Sequence, residues 1–267
     1  MTKRSKITVP RLLECKAAGQ PLSMLTAYDA SFARRVDQAG VDCVLVGDSL
    51  GNVIQGRDST VPVTVSDMVY HVEAVRRGLD HALLLADMPF MSYHDRPTAM
   101  TSAARLMRAG AEMVKLEGGS AIAAQVSDLV AHGIPVCGHL GLTPQHVHQL
   151  GGYRVQGRED GPAQALRDDA RVLENAGAAM LVLECVPSDL AASIAADLSI
   201  PVIGIGAGPS VDGQVLVLYD VLGISVGRQP RFVRNFLADS HSIPEALSAF
   251  VEAVRERRFP GPENAYN

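Results

Sequence analysis

Asp48, Asp87, Lys115, Glu117, His139 and Glu184 each stand at or near the end of a short apolar run. Asp48 closes Cys43-Val44-Leu45-Val46-Gly47, Asp87 closes Ala82-Leu83-Leu84-Leu85-Ala86, and Glu184 closes Met180-Leu181-Val182-Leu183. Asp48, Asp87 and Glu117 come from three successive runs, and three carboxylates in one cleft cannot all be ionised unless a cation is present. Oxygen-only donors suit Mg2+, which takes few protein carboxylates and keeps several waters. The competing reading is that one or two of these acids pair with Lys115 or a surface arginine.

The other three residues offer complementary chemistry. Lys115 is a counter-ion to the acids or a Schiff-base lysine; the nearby acids favour a protonated amine, suited to binding a substrate carboxylate. His139 is open as a metal ligand, an oxyanion donor or a hydrogen-bonded strand-end histidine. Titrating near neutrality, it is also the second candidate base. Glu184 follows a dry run, and burial raises a carboxyl pKa towards that of a useful general base. Its bland alternative is a salt bridge at a rim.

These residues converge only if the runs are parallel strands. The runs are short, apolar and separated by helical segments, as expected of buried parallel strands. Gly40, Gly110, Gly133 and Gly177 precede four of them, where helices end. Strands are expected at 23–26, 41–48, 82–87, 111–117, 134–139, 178–184 and 201–206, with the eighth at 216–219 or 221–224. Helices are expected near 10–18, 29–39, 66–77, 98–109, 121–132, 163–176, 190–198 and 243–258. This alternation predicts a (β/α)8 TIM barrel spanning 1–267 as one domain, with an N-terminal helix under the barrel bottom and a C-terminal helix. In such a barrel the strand carboxyl ends carry the site. The long segments 49–60 and 141–161 are expected as functional loops, with His146 and His148 solvated. Gly204-Ile205-Gly206-Ala207-Gly208 resembles a barrel phosphate-binding turn, a weak signal alone.

The bulk composition narrows the classes. The chain has 267 residues, 47% hydrophobic and 20% charged, with formal net charge −5. It shows none of the basic excess of a nucleic-acid binder. The four cysteines, 15, 43, 137 and 185, form no zinc spacing; three are expected in buried strands as reduced thiols. Lys3, Arg4 and Lys6 are followed by no apolar signal region, and no run approaches a membrane span. The expectation is a soluble, cytoplasmic protein acting on small molecules, with no nucleic-acid or membrane partner.

Longer motifs carry a resemblance. Val46-Gly47-Asp48-Ser49-Leu50-Gly51, Leu85-Ala86-Asp87-Met88-Pro89-Phe90 and Val114-Lys115-Leu116-Glu117-Gly118-Gly119 resemble the ketopantoate hydroxymethyltransferase family. So do Val136-Cys137-Gly138-His139-Leu140-Gly141-Leu142-Thr143-Pro144-Gln145, Gly151-Gly152-Tyr153-Arg154-Val155-Gln156-Gly157, Leu183-Glu184-Cys185-Val186-Pro187 and Ile203-Gly204-Ile205-Gly206-Ala207-Gly208. Asn52-Val53-Ile54 and the C-terminal tail depart from the pattern without touching a residue assigned a role.

The resemblance implies a barrel similar to those of phosphoenolpyruvate mutase and isocitrate lyase. It implies hydroxymethyl transfer from 5,10-methylenetetrahydrofolate to 3-methyl-2-oxobutanoate, giving 2-dehydropantoate for pantothenate synthesis. By position, Asp48, Asp87 and Glu117 resemble the Mg2+ group, Glu117 directly or through water. Asp48 with Ser49, Asp87 and Lys115 resemble the oxoacid-binding set, beside which we place His139. Glu184 resembles the proton acceptor. A homo-oligomer, commonly a decamer, follows from the resemblance alone. The rival enzyme is a Mg2+-dependent 2-oxoacid lyase or mutase of the phosphoenolpyruvate-mutase type, and the non-enzyme rival is a metal-binding scaffold.

Overall fold

The computed structural model describes residues 4–227 and 229–266; Lys3 lies outside the described residues. Eight strands, β1 (Leu22–Thr26), β2 (Cys43–Val46), β3 (Leu83–Asp87), β4 (Met113–Glu117), β5 (Val136–Gly141), β6 (Met180–Glu184), β7 (Val202–Ile205) and β8 (Gly213–Leu216), close into a barrel in chain order. Every neighbouring pair is parallel, and β8 pairs with β1 to complete the ring. The helices are α1 (Val9–Ala17), α2 (Ala30–Ala39), α3 (Leu50–Val53), α4 (Val65–Arg76), α5 (Arg96–Ala109), α6 (Ala123–Ala131), α7 (Val147–Leu150), α8 (Asp160–Asn175), α9 (Ser188–Asp197), α10 (Leu218–Val221) and α11 (Ile243–Arg255).

Local chemistry explains the outer ring. The Asp29 carboxylate accepts the Ser31 and Phe32 N–H groups and starts α2, while Thr64 and Asp67 form a reciprocal capping box on α4. Gly40 and Gly110 end α2 and α5 in the left-handed conformation, at φ +94° and +114°. Helix α1 lies under the amino ends of the strands. Lys16 Nζ is 2.7 Å from Asp212, just before β8, and Ile7 N–H reaches His81 O, just before β3.

Four boundaries differ from the sequence reading. Strand β2 stops at Val46, so Asp48 opens the following loop rather than ending the strand, whereas β5 runs two residues past His139. Segments 49–60 and 141–161 hold α3 and α7, and His146 is half-buried with Nδ1 3.0 Å from Thr143 Oγ1, while His148 is exposed. The eighth strand is Gly213–Leu216; the more apolar segment 218–221 is α10. A Cβ at Gly213 would meet Leu22 O at 2.2 Å, so this strand needs glycine where it passes β1. Gln214 sits buried inside, donating to Gly208 O at 3.0 Å, a polar residue in a place where an apolar one is expected. All four cysteines are buried and free, but only Cys43 and Cys137 lie in strands; Cys15 is in α1 and Cys185 follows β6. Among the described residues no helix is long and apolar enough to cross a membrane.

Candidate active site

Strand register brings the chemistry together. Asp87 pairs with Lys115 across β3 and β4, Glu117 with His139 across β4 and β5, and Gly141 with Glu184 across β5 and β6. Gly141 has φ +89°, and a Cβ there would meet Glu184 O at 2.2 Å, so glycine lets β5 close on the residue carrying the candidate base. A cavity of about 950 Å³ opens over these strand ends. Asp48, Asp87, Lys115, Glu117, His139 and Glu184 all line it, so the six residues singled out in the sequence share one pocket. Ser49 lines it too, its Oγ 2.9 Å from the Tyr28 hydroxyl.

The cluster has two halves. In one, the Asp48 N–H donates to Asp87 Oδ2 at 3.0 Å, and Lys115 Nζ lies 2.7 Å from Asp87 Oδ1. That ion pair is not aligned as a hydrogen bond, so Asp87 Oδ1 retains room for another partner. In the other, His139 Nδ1 is 3.3 Å from Glu117 Oε1 and Nε2 is 3.4 Å from Glu184 Oε2, again a charge contact rather than an aligned bond. Lys115 Nζ, 3.3 Å from His139 Nδ1, joins the halves. Asp48, Asp87, Lys115, Glu117 and His139 are buried; Glu184 is partly exposed, less dry than its sequence context suggests.

Burial, followed by the charges of Asp87 and Glu117, pushes the Asp48 carboxyl well above the usual carboxylate range. Burial works against the Lys115 ammonium, but Asp87, Glu117 and Asp48 outweigh it and raise its pKa. The carboxylates beside it favour the protonated amine. Burial is also the largest influence on Glu117; His139, Lys115 and the Gln145 N–H overcome it and hold that carboxyl below its ordinary value. For His139, burial and Lys115 pull downwards, yet Glu117 and Glu184 hold the imidazole up at about 9. Glu117 and Glu184 thus favour the charged imidazole against burial and Lys115, whereas the sequence reading has it titrating near neutrality.

Among the described residues, no three His, Cys, Asp or Glu side chains gather as a ready-made metal-ligand set. The three-acid group expected from sequence reduces to two adjoining carboxylates, Asp48 and Asp87. Glu117 is engaged elsewhere, its Oε2 accepting the Gln145 N–H at 2.9 Å. The pair still fits Mg2+, which needs only one or two carboxylates alongside water and substrate. Four carboxyl groups, one lysine and one histidine meet at the strand ends, and Asp220, Arg154 and Arg231 line the cavity further out.

Sequence reasoning gave no role to Gln145 or Tyr93, and it omitted Tyr28 altogether. Gln145 and Tyr93 sit in polar loop segments, Thr143-Pro144-Gln145-His146 and Ser92-Tyr93-His94-Asp95, that read as solvent-facing. Both are buried against the acids. The glycines after β7 serve packing: a Cβ at Gly206 would meet Phe232 at 2.9 Å and Tyr266 at 3.0 Å, and one at Gly208 would meet Ser188. Side chains from elsewhere in the chain therefore pack directly on this turn.

The closed parallel barrel is shared, as a fold, with a solved member of the phosphoenolpyruvate mutase/isocitrate lyase superfamily. The chain is similar in fold to 2,3-dimethylmalate lyase, a member of that superfamily, at TM-score 0.58 and 19% identity over 80% of this chain and 82% of that one. It is also similar to phosphonopyruvate hydrolase, at TM-score 0.63 and 13% identity over 95% and 97%. Within that fold, the chain belongs to the ketopantoate hydroxymethyltransferase family, whose model matches residues 6–262. It is 53% identical to 3-methyl-2-oxobutanoate hydroxymethyltransferase 2 of Hahella chejuensis over 98% of this chain and 99% of that one. It is 56% identical to the protein of the same name from Pseudomonas fluorescens over 98% of each.

Proposed function

We propose that this protein transfers a hydroxymethyl group from 5,10-methylenetetrahydrofolate to 3-methyl-2-oxobutanoate, forming 2-dehydropantoate for pantothenate synthesis, with Mg2+ held at Asp48 and Asp87. The single observation that carries this reading is the division of the cluster. An anion-binding half, with Lys115 against Asp87, sits beside a second half in which Glu184 faces His139.

Bound Mg2+ would stabilise negative charge developing on the keto oxygen of the oxoacid. Lys115 supplies a fixed positive charge for the substrate carboxylate, and Ser49 a hydroxyl at the same wall. Glu117, already engaged by Gln145 and His139, would support bound Mg2+ from beside the Asp48 and Asp87 pair. Glu184, the least buried acid of the cluster, accepts the C3 proton. The resulting carbon nucleophile forms a C–C bond to the folate methylene carbon, whose bonds to both folate nitrogens break; one water supplies the product hydroxyl, and the C3 proton and the remaining water proton end on the two nitrogens of the released tetrahydrofolate. His139, as an imidazolium, provides the counter-charge that orients Glu184. A cavity of about 950 Å³ exceeds the needs of a five-carbon oxoacid and leaves space for a larger co-substrate along the aromatic wall of Tyr153, Phe232 and Tyr266. By family resemblance the protein works as a cytoplasmic homo-oligomer.

The test is proton exchange. The protein is incubated with 3-methyl-2-oxobutanoate and Mg2+ in D2O, and the C3 proton is followed by NMR. Mg2+-dependent loss of that signal without folate is expected. No exchange above the buffer rate, from protein that binds the oxoacid, would refute the proposed half-reaction.

A further inference from the structure

Gln145 is a buried residue of the Pro144–His146 turn whose side-chain amide and backbone N–H are all engaged. Its Nε2 donates to Asp48 Oδ2 at 2.8 Å and to Met88 O at 3.0 Å. Its Oε1 accepts the Tyr93 hydroxyl at 2.6 Å, and its backbone N–H donates to Glu117 Oε2 at 2.9 Å. Tyr93 is buried in turn, with its hydroxyl 3.2 Å from Glu117 O. The amide can sit only one way round. Turned over, its oxygen would face the Met88 carbonyl with no proton between them.

We propose that Gln145, locked by Tyr93, is a positioning residue for the Asp48 carboxylate, and that it sets how tightly the site holds a divalent cation. Engaging Oδ2 leaves Oδ1 as the oxygen available to a ligand in the cavity that Asp48 lines. A neutral amide orients this carboxylate without cancelling its charge, as a lysine there would. The Gln145 backbone N–H ties down Glu117 by the same turn, Pro144–His146, so one loop residue arranges two of the pocket's acids. The inference rests on the Mg2+-dependent reading above.

Three variants test it: Gln145→Ala, Gln145→Glu, which keeps the shape but loses the N–H donor, and Tyr93→Phe, which removes only the hydroxyl. Mg2+ affinity is measured calorimetrically on each full-length protein without substrate, beside a melting curve and the Mg2+ dependence of turnover. A hydrogen bond to a charged group is typically worth enough to move affinity roughly tenfold or more. Both Gln145 variants should lose about that much, and Tyr93→Phe should lose less in the same direction. Excess Mg2+ should restore most of the turnover of Gln145→Ala. A purely structural role predicts lowered melting temperatures with an unmoved Mg2+ dependence, and that result overturns the inference while leaving the proposed function intact. If the Gln145 variants do not fold, unchanged Mg2+ affinity in Tyr93→Phe overturns it equally. Failure of the unaltered protein to bind Mg2+ overturns both.

Discussion

The two ends of the barrel use the same residue type for opposite purposes. At the amino ends, Asp42 accepts Ser23 N–H at 3.0 Å and Ser23 Oγ at 2.8 Å, with Arg4 at 3.3 Å and Arg255 at 3.7 Å. Glu112 holds Lys6 at 2.7 Å, Arg76 at 3.3 Å and the Leu84 N–H at 3.0 Å. Asp212 holds Lys16 and the Val202 N–H. Each of these acids precedes a strand and is saturated by donors from neighbouring elements. At the carboxyl ends, acids face acids around a cavity and share one lysine and one histidine. What separates a structural from a functional carboxylate here is not burial but whether the fold itself completes its partners.

The sharpest way to break this contrast is at Glu184. Glu184→Gln should keep the fold and bind oxoacid, yet lose C3 proton exchange by about 10²–10⁴, the usual cost of removing a general base. If Glu184 were instead a rim salt bridge to His139, the melting temperature would fall and exchange would continue. A Gln variant exchanging at near the unaltered rate removes Glu184 from the chemistry.

Asp48→Asn comes next. An amide cannot supply the ligand charge, and loss of a preorganised electrostatic group typically costs about 10²–10³ in turnover. Asp48 is also crowded by Asp87 and Glu117, so the same substitution should leave the metal-free melting temperature unchanged or raise it. A site that loses activity while gaining stability is the signature of a functional carboxylate. A clear drop in metal-free stability would place Asp48 with the acids of the opposite end.

Asp42→Asn provides the mirror image at the barrel bottom. It removes the charge that holds Arg4 and Arg255 while the Ser23 contacts are partly kept. A loss of about 1–3 kcal/mol in unfolding free energy is expected, with C3 exchange per folded molecule unaltered. Altered exchange kinetics in this variant would show that the two ends are not separable.

Much of this division was readable from the chain. Strand-end positions of Asp87, Lys115, Glu117, His139 and Glu184 followed from apolar runs closing on polar residues, because parallel strands buried on both faces must be apolar along their length. Strand β8 was misplaced because Gly213 and Gln214 answer to contacts with Leu22 and Gly208 that are distant in sequence. Gln145 and Tyr93 were assigned no role for the same reason: their partners Asp48 and Glu117 lie 97 and 24 residues away respectively. A polar loop residue carries no local mark of burial. The charge on His139 was equally invisible, since it depends on Glu117 and Glu184 converging from two other strands.

The smallest expected effect concerns that histidine, and its sign can be worked out. The folded imidazole is held up at about 9, against an ordinary value of 6.5. Folding therefore favours the protonated form, and the stabilisation it brings is fully present below pH 6.5, where both states carry the proton. Between pH 6.5 and about 9 the unfolded chain has lost its proton while the folded one keeps it, so stability declines; above about 9 this contribution is gone. The metal-free protein should melt at progressively lower temperature across that window, and His139→Asn should flatten the decline. The bottom acids meet fixed arginines, lysines and N–H groups rather than this histidine, so the Asp42→Asn profile should keep the slope of the unaltered protein. A His139→Asn profile that falls as steeply between pH 6.5 and 9 would assign the slope to another group and leave His139 without the charge that here orients Glu184.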